Sequence, residues 1–159
     1  MIQAIAHELG FWKGFVQSER FKGWISNKRT PELQEPVYKF LKKETGKVLD
    51  LGSGVVSLLH GTIQVTASDP LSPLYELIFD YKKHGIKPPL PYAGEDITFE
   101  KEFDIVHISN ALDHSQNPKK VFENMIKASK NYVIVQGFEN EAVHENYKGF
   151  HQFNMSFDE

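Results

Sequence analysis

The sequence predicts an α/β protein: a doubly wound, mostly parallel sheet with helices on both faces and a helical extension in front of it. Four apolar segments predict strands, and they begin the stretches KVLDLGSG, IQVTASD, FDIVHIS and NYVIVQGF. Helical spacing of apolar residues appears between the second and third of these segments, and again between the third and fourth. Strands separated by helices form parallel sheets with right-handed crossovers, which gives the fold class.

Residues 1–46 predict a helical extension or lid. Two apolar sets recur there at helical spacing: Ile5, Leu9, Trp12, Phe15 and Val16, then Leu33, Val37, Phe40 and Leu41. Thr30 and Pro31 are start signals for the second helix, Pro36 delays or kinks its start, and Gly46 closes it. Basic and aromatic residues alternate over 11–29, as in some nucleic-acid-binding segments. The helical spacing favours aromatic residues that pack on the core or roof a ligand cleft.

Two further helices are expected between the later strands. Ser72 and Pro73 open the first, which ends at Gly85 and presents one apolar face: Leu74, Leu77, Ile78 and Tyr81. The run KPPLPYAGED then reads as a loop. Asn117 and Pro118 open the second helix, whose apolar residues are Val121, Phe122, Met125 and Ile126.

Composition limits the classes of function. The chain has 159 residues, 40% hydrophobic and 25% charged, which predicts a single soluble domain. A net charge of −3 gives no global field toward nucleic acid or an anionic membrane. No apolar run is long enough to span a bilayer and no signal peptide is evident, so a cytoplasmic location is expected. The absence of cysteine excludes disulfides, thiolate catalysis and cysteine-ligated zinc.

The stretch KVLDLGSG and the strand after it predict a nucleoside pocket. Gly52 and Gly54 allow a sharp turn and the close approach of a ligand, while Asp69 ends the neighbouring strand, where it can accept hydrogen bonds from ribose hydroxyls. Asp50 stands just before the glycines and would repel the pyrophosphate of a dinucleotide. A ligand that carries an ammonium and a sulfonium suits this acid better. Ser57 also replaces the third glycine of a dinucleotide fingerprint.

Four motifs in order make residues 8–157 resemble the class I S-adenosylmethionine-dependent methyltransferases, which have a Rossmann-like fold. The motifs are VLDLGSG, SDP, GEDI and FDIVHISNALDHSQNP. NALDHSQNP together with YKGFHQFN is further similar to a methyltransferase-domain subgroup that carries NALDH and Y-x-G-hydrophobic-H-Q-aromatic-N. The resemblance implies S-adenosylmethionine as the cofactor, bound by residues 47–159. Residues 1–46 would remain the extension or lid.

The resemblance also implies cofactor-binding residues at the carboxyl ends of the strands. They are Asp50, Gly52, Ser53 and Gly54 at the methionine end, Asp69 with Pro70 at the ribose, Asp96 and Ile97 at the adenine, and Asn110 at the methionine moiety or substrate mouth. Structural alternatives stay open. Asp69 can cap the turn at Pro70, Glu95 and Asp96 can be solvated loop acids, and Asn110 can satisfy backbone groups.

A general base is needed only where the methyl acceptor must lose a proton, as a hydroxyl must. His114 and Asp113 are the first candidates because they follow the FDIVHIS strand closely, with His144 and His151 behind them. The spacing of His144 and His151 matches no familiar zinc site, so no metal is expected. No G-x-S-x-G elbow for a nucleophilic serine is present.

The C-terminal end predicts an incomplete sheet. The methyltransferases that the chain resembles continue with two more strands after their fifth, but only about twenty residues follow NYVIVQG here. Truncation of the C-terminal strands is the favoured explanation. The alternatives are an abbreviated strand over 150–157, or pairing of the exposed apolar edge with another chain in a homodimer.

The leading hypothesis is a methyltransferase that acts on the oxygen or nitrogen of a small-molecule or saccharide-type acceptor. Neither nucleic acid nor a membrane is the expected partner, since DNA amino-methyltransferases carry an N/D-P-P-aromatic motif where this chain has NALD. Three rivals remain: a nonenzymatic S-adenosylmethionine-binding protein or partner subunit, an NAD-dependent oxidoreductase, and a purely structural α/β domain.

Overall fold

A computed structural model describes residues 2–27, 35–44, 46–61, 64–144 and 153–156 of the chain. Its sheet has four strands: β1 (Val48–Leu51), β2 (Val65–Ser68), β3 (Phe103–Ser109) and β4 (Ser129–Gln136). They lie in the order β2-β1-β3-β4 and every pair is parallel. The predicted α/β class and parallel sheet are therefore confirmed.

Seven helices accompany the sheet in the described ranges: α1 (Ile2–Phe15), α2 (Glu19–Asn27), α3 (Glu35–Lys43), α4 (Ser72–Tyr75), α5 (Tyr81–His84), α6 (Pro118–Ala128) and α7 (Glu141–His144). On one face of the sheet, Leu41 of α3 packs with Val48 and Ile105. On the other, α6 packs against Leu49 and Leu51. Helices thus cover both faces, as the sequence predicts.

Alternation along the strands decides which residues share a face. Leu49 and Leu51 point toward α6, so Val48 and Asp50 between them point toward α3. In the parallel register, Asp50 lies opposite His107 of β3. One polar row therefore runs along the α3 face of an otherwise apolar sheet.

The N-terminal aromatic residues pack against the loop that follows β1. Phe21 and Trp24 are buried with Val55 and Val56 of that loop, together with Phe79. The helical prediction over residues 5–16 is confirmed by α1. Pro36 is the second residue of α3 in the described range, and its predicted effect on the start of that helix stays a prediction. Thr30, Pro31 and Leu33 lie outside the described residues.

The single helix expected over 72–85 is wrong, because two one-turn helices stand there. Phe79, which lies between them, is buried against Phe21, with ring centroids 5.5 Å apart. Asp80 then starts α5 by accepting a hydrogen bond from the Lys83 N–H at 2.9 Å. Leu77, expected on the apolar face, is exposed. Gly85 ends α5 at φ 64°, as predicted.

The two edges of the sheet differ. Beyond β2, Leu90 pairs with Ser68 in a single bridge, within the segment expected to be a loop. Beyond β4, the described ranges contain no further strand, so the strand expected to be buried is only half-buried. Of the segment 150–157, residues 153–156 are described, and they form neither helix nor strand. Among the helices described, none is both long and apolar enough to cross a membrane.

Candidate functional site

Three parallel strands end at the same edge of the sheet, and polar loops follow them there. Gly52 follows β1, Asp69 follows β2 and Asn110 follows β3. The loops are joined directly, because the Ser53 N–H donates to the Ser68 carbonyl at 3.2 Å and the Gly54 N–H donates to Asp69 Oδ2 at 2.9 Å. The predicted gathering of site residues at the carboxyl edge is therefore present.

The glycine loop uses both of its glycines for geometric reasons. Gly52 and Gly54 have φ values of 61° and 63°, a region that residues with a Cβ rarely adopt. A Cβ on Gly52 would also overlap the Cβ of Ala111, and a Cβ on Gly54 would overlap the indole ring of Trp12. The face opened by each missing side chain is thus filled by another part of the chain.

Asp50 is buried on the α3 face of the sheet, and hydrogen bonds from the chain reach both of its carboxylate oxygens. Ser57 Oγ donates to Oδ2 at 2.5 Å, and His107 Nδ1 donates to Oδ1 at 2.6 Å. Ser57 Oγ also accepts from the Leu59 N–H at 3.0 Å, which folds the loop back onto β1. The predicted role of Asp50 at the methionine end of a cofactor stays a prediction.

His107 is a buried partner that the sequence analysis did not single out. Its Nε2 donates to Gln136 Oε1 of β4 at 2.7 Å, so with this amide oxygen facing the ring both ring nitrogens carry a proton. Burial lowers the pKa of His107, but the Asp50 carboxylate and the two hydrogen bonds outweigh it and leave the pKa raised. A histidine inside the apolar run FDIVHIS was the available signal.

Asp69 holds the turn after β2 and the glycine loop together. Its carboxylate accepts from the Gly54 and Leu71 N–H groups, each at 2.9 Å, and it is buried. Burial raises the pKa of Asp69, and the two backbone hydrogen bonds oppose that effect. The capping alternative is therefore present in the structure, while the predicted ribose contact stays a prediction. Pro70 beside it is exposed.

Two residues outside the predicted site lie over Asp69. Tyr75 of α4 is completely buried, and the Glu8 and Asp69 carboxylates are its electrostatic neighbours. Burial and the charge of Asp69 raise the pKa of Glu8 to about 7, against hydrogen bonds from Trp12 and Tyr75. Glu8 carried no sequence signal, because an acid on a surface helix is ordinary. Trp12 belongs to the aromatic residues that the sequence predicts to pack on the core or to roof a ligand cleft.

Asn110 has two features of a ligand-binding position. It has a φ of 48°, which asparagine adopts more readily than most other residues with a Cβ, and its N–H donates to the Gln136 carbonyl at 2.9 Å. Its side-chain Oδ1 is buried and accepts no hydrogen bond. Such an oxygen is normally paired, so it marks a position where a donor from a ligand would fit.

The two predicted catalytic residues lie in the loop between Asn110 and α6. Asp113 is buried and His114 half-buried, and the His114 N–H donates to the Ala111 carbonyl at 3.3 Å. Ala111 is the residue that contacts Gly52, so this loop borders the glycine loop. His144 is exposed on α7, and His151 lies outside the described residues.

The predicted adenine loop is tied to α6. Glu95 Oε1 accepts from the Gln116 and Asn117 N–H groups at 2.8 and 3.0 Å, which makes it a cap for that helix. Ile97 is buried in the core and Asp96 is exposed. The assignment of Asp96 and Ile97 to an adenine ring stays a prediction.

Neither a metal site nor a polar cavity away from this edge adds to the site in the described part of the chain. No group of three or more histidine and acidic side chains is arranged there to hold a metal ion. A polar cavity of about 520 Å³ is lined by Lys47, Gln64, Thr66, Glu102, Phe103 and Lys130. These residues stand at or near the amino ends of the strands, so this cavity is remote from the glycine loop.

Comparison with known proteins finds likeness in structure. No protein-family model matches the sequence, and no curated protein matches it significantly. A S-adenosylmethionine-dependent methyltransferase from Thermotoga maritima, described as a possible histamine N-methyltransferase, superposes with a TM-score of 0.59 at 15% identity. That match covers 95% of this chain and 74% of the other.

Two further solved structures are less similar. The YcgJ protein of Bacillus subtilis has a TM-score of 0.50 at 15% identity, over 70% of this chain and 54% of its own. A Burkholderia thailandensis 1,6-didemethyltoxoflavin-N1-methyltransferase, with bound S-adenosylhomocysteine, has 16% identity and covers 78% of this chain and 60% of its own. Its TM-score of 0.46 is too low to establish a shared fold. The chain therefore has the Rossmann-like fold of the Thermotoga methyltransferase.

Proposed function

We propose that the chain binds S-adenosylmethionine at the carboxyl edge of β1, β2 and β3 and transfers its methyl group. The acceptor we propose is a small molecule or a saccharide, attacked through oxygen or nitrogen. The observation that carries the proposal is the contact between the glycine loop and Asp69, whose buried carboxylate accepts from the N–H of Gly54, one of two glycines with a positive φ in that loop. This edge is where ligands bind in open α/β sheets.

The polar groups of this edge suit a cationic nucleoside. Asp69 is acidic, Asn110 buries an oxygen that accepts no hydrogen bond, and ribose hydroxyls or an ammonium can donate to such oxygens. A pyrophosphate would meet the acid Asp69 instead, which disfavours a dinucleotide. The donor supplies an electrophilic methyl carbon on its sulfonium, so the residues of the chain have to bind, orient and exclude water.

Each side chain has a defined task in this proposal. Asp69 accepts from the ribose hydroxyls while it keeps the glycine loop in place, and Asn110 Oδ1 accepts from the methionine moiety. Asp96 and Ile97 meet the adenine, and Asp50, paired with His107, holds the loop at the methionine end from beneath through Ser57. His114, assisted by Asp113, takes the proton from a hydroxyl acceptor. The subgroup with NALDH and the G-x-H-Q-aromatic-N signature is part of the same proposal.

The first test is a thermal-shift panel with S-adenosylhomocysteine, NADH and ATP. S-adenosylhomocysteine at 100 times its dissociation constant should raise the free energy of unfolding by about 2.7 kcal/mol, while NADH and ATP should have no effect. Asp69→Ala should abolish the shift. Asp80→Ala is the matched control, because it removes an exposed acid that caps α5 away from the glycine loop. A shift with NADH alone would instead establish a nicotinamide-dependent oxidoreductase.

The second test separates catalysis from binding. Purified protein with labelled S-adenosylmethionine should label members of a panel of small hydroxyl, amine and saccharide acceptors. His114→Asn should lower turnover with hydroxyl acceptors and leave the affinity for S-adenosylhomocysteine unchanged, because the residue acts on the acceptor. A loss of binding in this variant would place His114 in the cofactor site instead.

A nonenzymatic S-adenosylmethionine-binding protein is the second candidate. It is favoured because side chains of the protein itself already contact both glycines of the loop. Trp12 lies against Gly54, and Ala111 lies against Gly52. Tight binding of S-adenosylhomocysteine with no turnover on any acceptor class would establish it. A purely structural α/β domain would show neither binding of S-adenosylhomocysteine nor methyl transfer.

A further inference from the structure

We propose that α1 is an inhibitory lid, in which Trp12 occupies the face of the glycine loop that the nucleoside ligand needs. Ligand binding and the docked position of α1 are then mutually exclusive, so α1 has to leave the loop before the ligand binds. This inference rests on the proposed function and adds regulation to the same site.

The contact between Trp12 and Gly54 is the first observation. The benzene part of the indole lies against Gly54 on the side where a side chain would project, so close that a Cβ would overlap Cζ2. A glycine in such a loop lets a ligand approach the backbone, and here that approach is taken by the indole. Both cannot contact the same face of Gly54 at once.

Trp12 is held over the loop by aromatic neighbours. Its ring centroid lies 6.1 Å from that of Tyr75 and 5.7 Å from that of Phe15, both edge to face. The opposite side of α1 is open, since a Cβ on Gly10 or Gly14 would have no neighbour within 4 Å. The helix is therefore attached along one face, and it can separate without breaking a sheet hydrogen bond.

Glu8 is the second observation, and it makes the lid sensitive to protons. It stands one helical turn before Trp12, the residue that covers Gly54, and the charge of Asp69 acts on its carboxyl group. The groups that face Glu8 are Trp12 on α1, Asp69 after β2 and Tyr75 on α4. Docking of α1 therefore brings two acids together under partial burial, which is easier when Glu8 is protonated.

The direction of the pH effect follows from the pKa of Glu8. Burial and the charge of Asp69 raise it from 4.5 to about 7 in the docked position. Between pH 4.5 and about pH 7, Glu8 therefore keeps its proton in the docked form and loses it in the open form. Rising pH disfavours the docked lid across that window, and the effect is complete above about pH 7. Where the docked form predominates, affinity for the ligand should rise up to about tenfold per pH unit between pH 5 and pH 7.

Isothermal titration of the full chain with S-adenosylhomocysteine, from pH 5 to pH 8, tests the proposal. Trp12→Ala should bind at least about tenfold more tightly than wild type at low pH, because the blocking ring is gone. Glu8→Gln mimics the protonated acid, so it should keep the weak low-pH affinity at every pH. Lys13→Ala on the exposed side of α1 and Glu19→Gln, an exposed acid on α2, are matched controls that should behave as wild type.

Fluorescence gives a second measurement that does not depend on the folding of Trp12→Ala. In Trp24→Phe, Trp12 is the only tryptophan, and its emission should shift to longer wavelength when S-adenosylhomocysteine displaces it into water. Binding with unchanged emission and no gain of affinity in Trp12→Ala would overturn the lid and leave the proposed function standing. No binding by any variant at any pH would overturn both.

Discussion

At the scale of single residues, Asp50 and His107 form a buried ion pair in the middle of the sheet. His107 is fully buried, and its two ring nitrogens bind Asp50 on β1 and Gln136 on β4. Because a charge without a partner is costly in such a place, each member of the pair depends on the other. The loop after β1 depends on them too, through Ser57.

His107→Leu should lower the free energy of unfolding by about 3–5 kcal/mol, because it leaves the Asp50 carboxylate buried without its cation. Urea denaturation measures this. Ser57→Ala removes one hydrogen bond to the same carboxylate and should cost less, about 1–3 kcal/mol. Equal stabilities of wild type and His107→Leu would mean that the pair contributes nothing.

Asn110 should respond differently to two small substitutions. Alanine has a Cβ but no polar side chain that could stabilise a φ of 48°. Asn110→Ala should therefore destabilise the protein by about 1 kcal/mol. Asn110→Gly should fold as well as wild type, because glycine accepts that φ. Both variants should bind S-adenosylhomocysteine more weakly if Oδ1 is a ligand. Wild-type affinity in Asn110→Gly would show that the asparagine is structural.

The residues of the site were only partly accessible from the sequence. Asp69 and the two glycines could be predicted because a strand, a turn and a second strand place them by local rules. Glu8 and His107 could not, because their importance comes from residues distant in the sequence, Asp69 for Glu8 and Asp50 and Gln136 for His107. Trp12 was expected to pack or to roof a cleft, but its contact with Gly54 required the docking of α1.

At the scale of elements, α6 shows how a helix start can organise a loop. Asn117 Oδ1 accepts from the Lys120 N–H at 3.1 Å, and Glu95 accepts from the N–H groups of Gln116 and Asn117. Asn124 Nδ2 then donates to the Gly94 and Glu95 carbonyls. The predicted adenine loop is thus positioned by the first turns of the helix.

Asn117→Ala should lower the free energy of unfolding by about 1 kcal/mol, the usual cost of losing such a cap. Thermal unfolding measures this. Lys119→Ala, on the exposed side of the same turn, is the control and should be nearly neutral. A loss of stability as large in the control would mean that the cap is not the cause.

Elements were predictable where local and tertiary preferences agree. The start of α6 at Asn117 and Pro118 and the end of α5 at Gly85 follow from turn and cap chemistry. The break between α4 and α5 was not predicted, and Phe79 at this break is buried against Phe21. The partial exposure of β4 was not predictable either, because the burial of a strand depends on whether another strand pairs with its outer edge.

At the scale of the whole molecule, stability should fall as pH rises. Glu8 and Asp69 have raised pKa values, so the folded state keeps their protons above the pH at which the unfolded chain loses them. The raised pKa of His107 acts in the same direction, since the stability it gives below pH 6.5 is lost as pH rises through its folded pKa.

Urea denaturation from pH 4.5 to pH 8 should therefore show a decreasing free energy of unfolding, because the folded state binds more protons than the unfolded state. Glu8→Gln should remove the decrease in the free energy of unfolding between pH 4.5 and about pH 7. His107→Leu should remove the decrease above pH 6.5. Stability that increases across this range would contradict the assignment.

We also propose that two copies of the chain pair through the outer edge of β4. In the described ranges no strand lies beyond it, and its first half is exposed, so its backbone can accept another strand. Sedimentation equilibrium should then show a monomer–dimer equilibrium. A single monomeric species at every concentration would exclude this pairing.

The row formed by Asp50, His107 and Gln136 also provides a spectroscopic probe of the sheet. Its two imidazole protons are shielded from bulk water and shared with partners on β1 and β4. Protons so protected exchange slowly and resonate far downfield in nuclear magnetic resonance, away from the amide envelope. A single assigned histidine would thus report, in one spectrum, whether three strands remain in register.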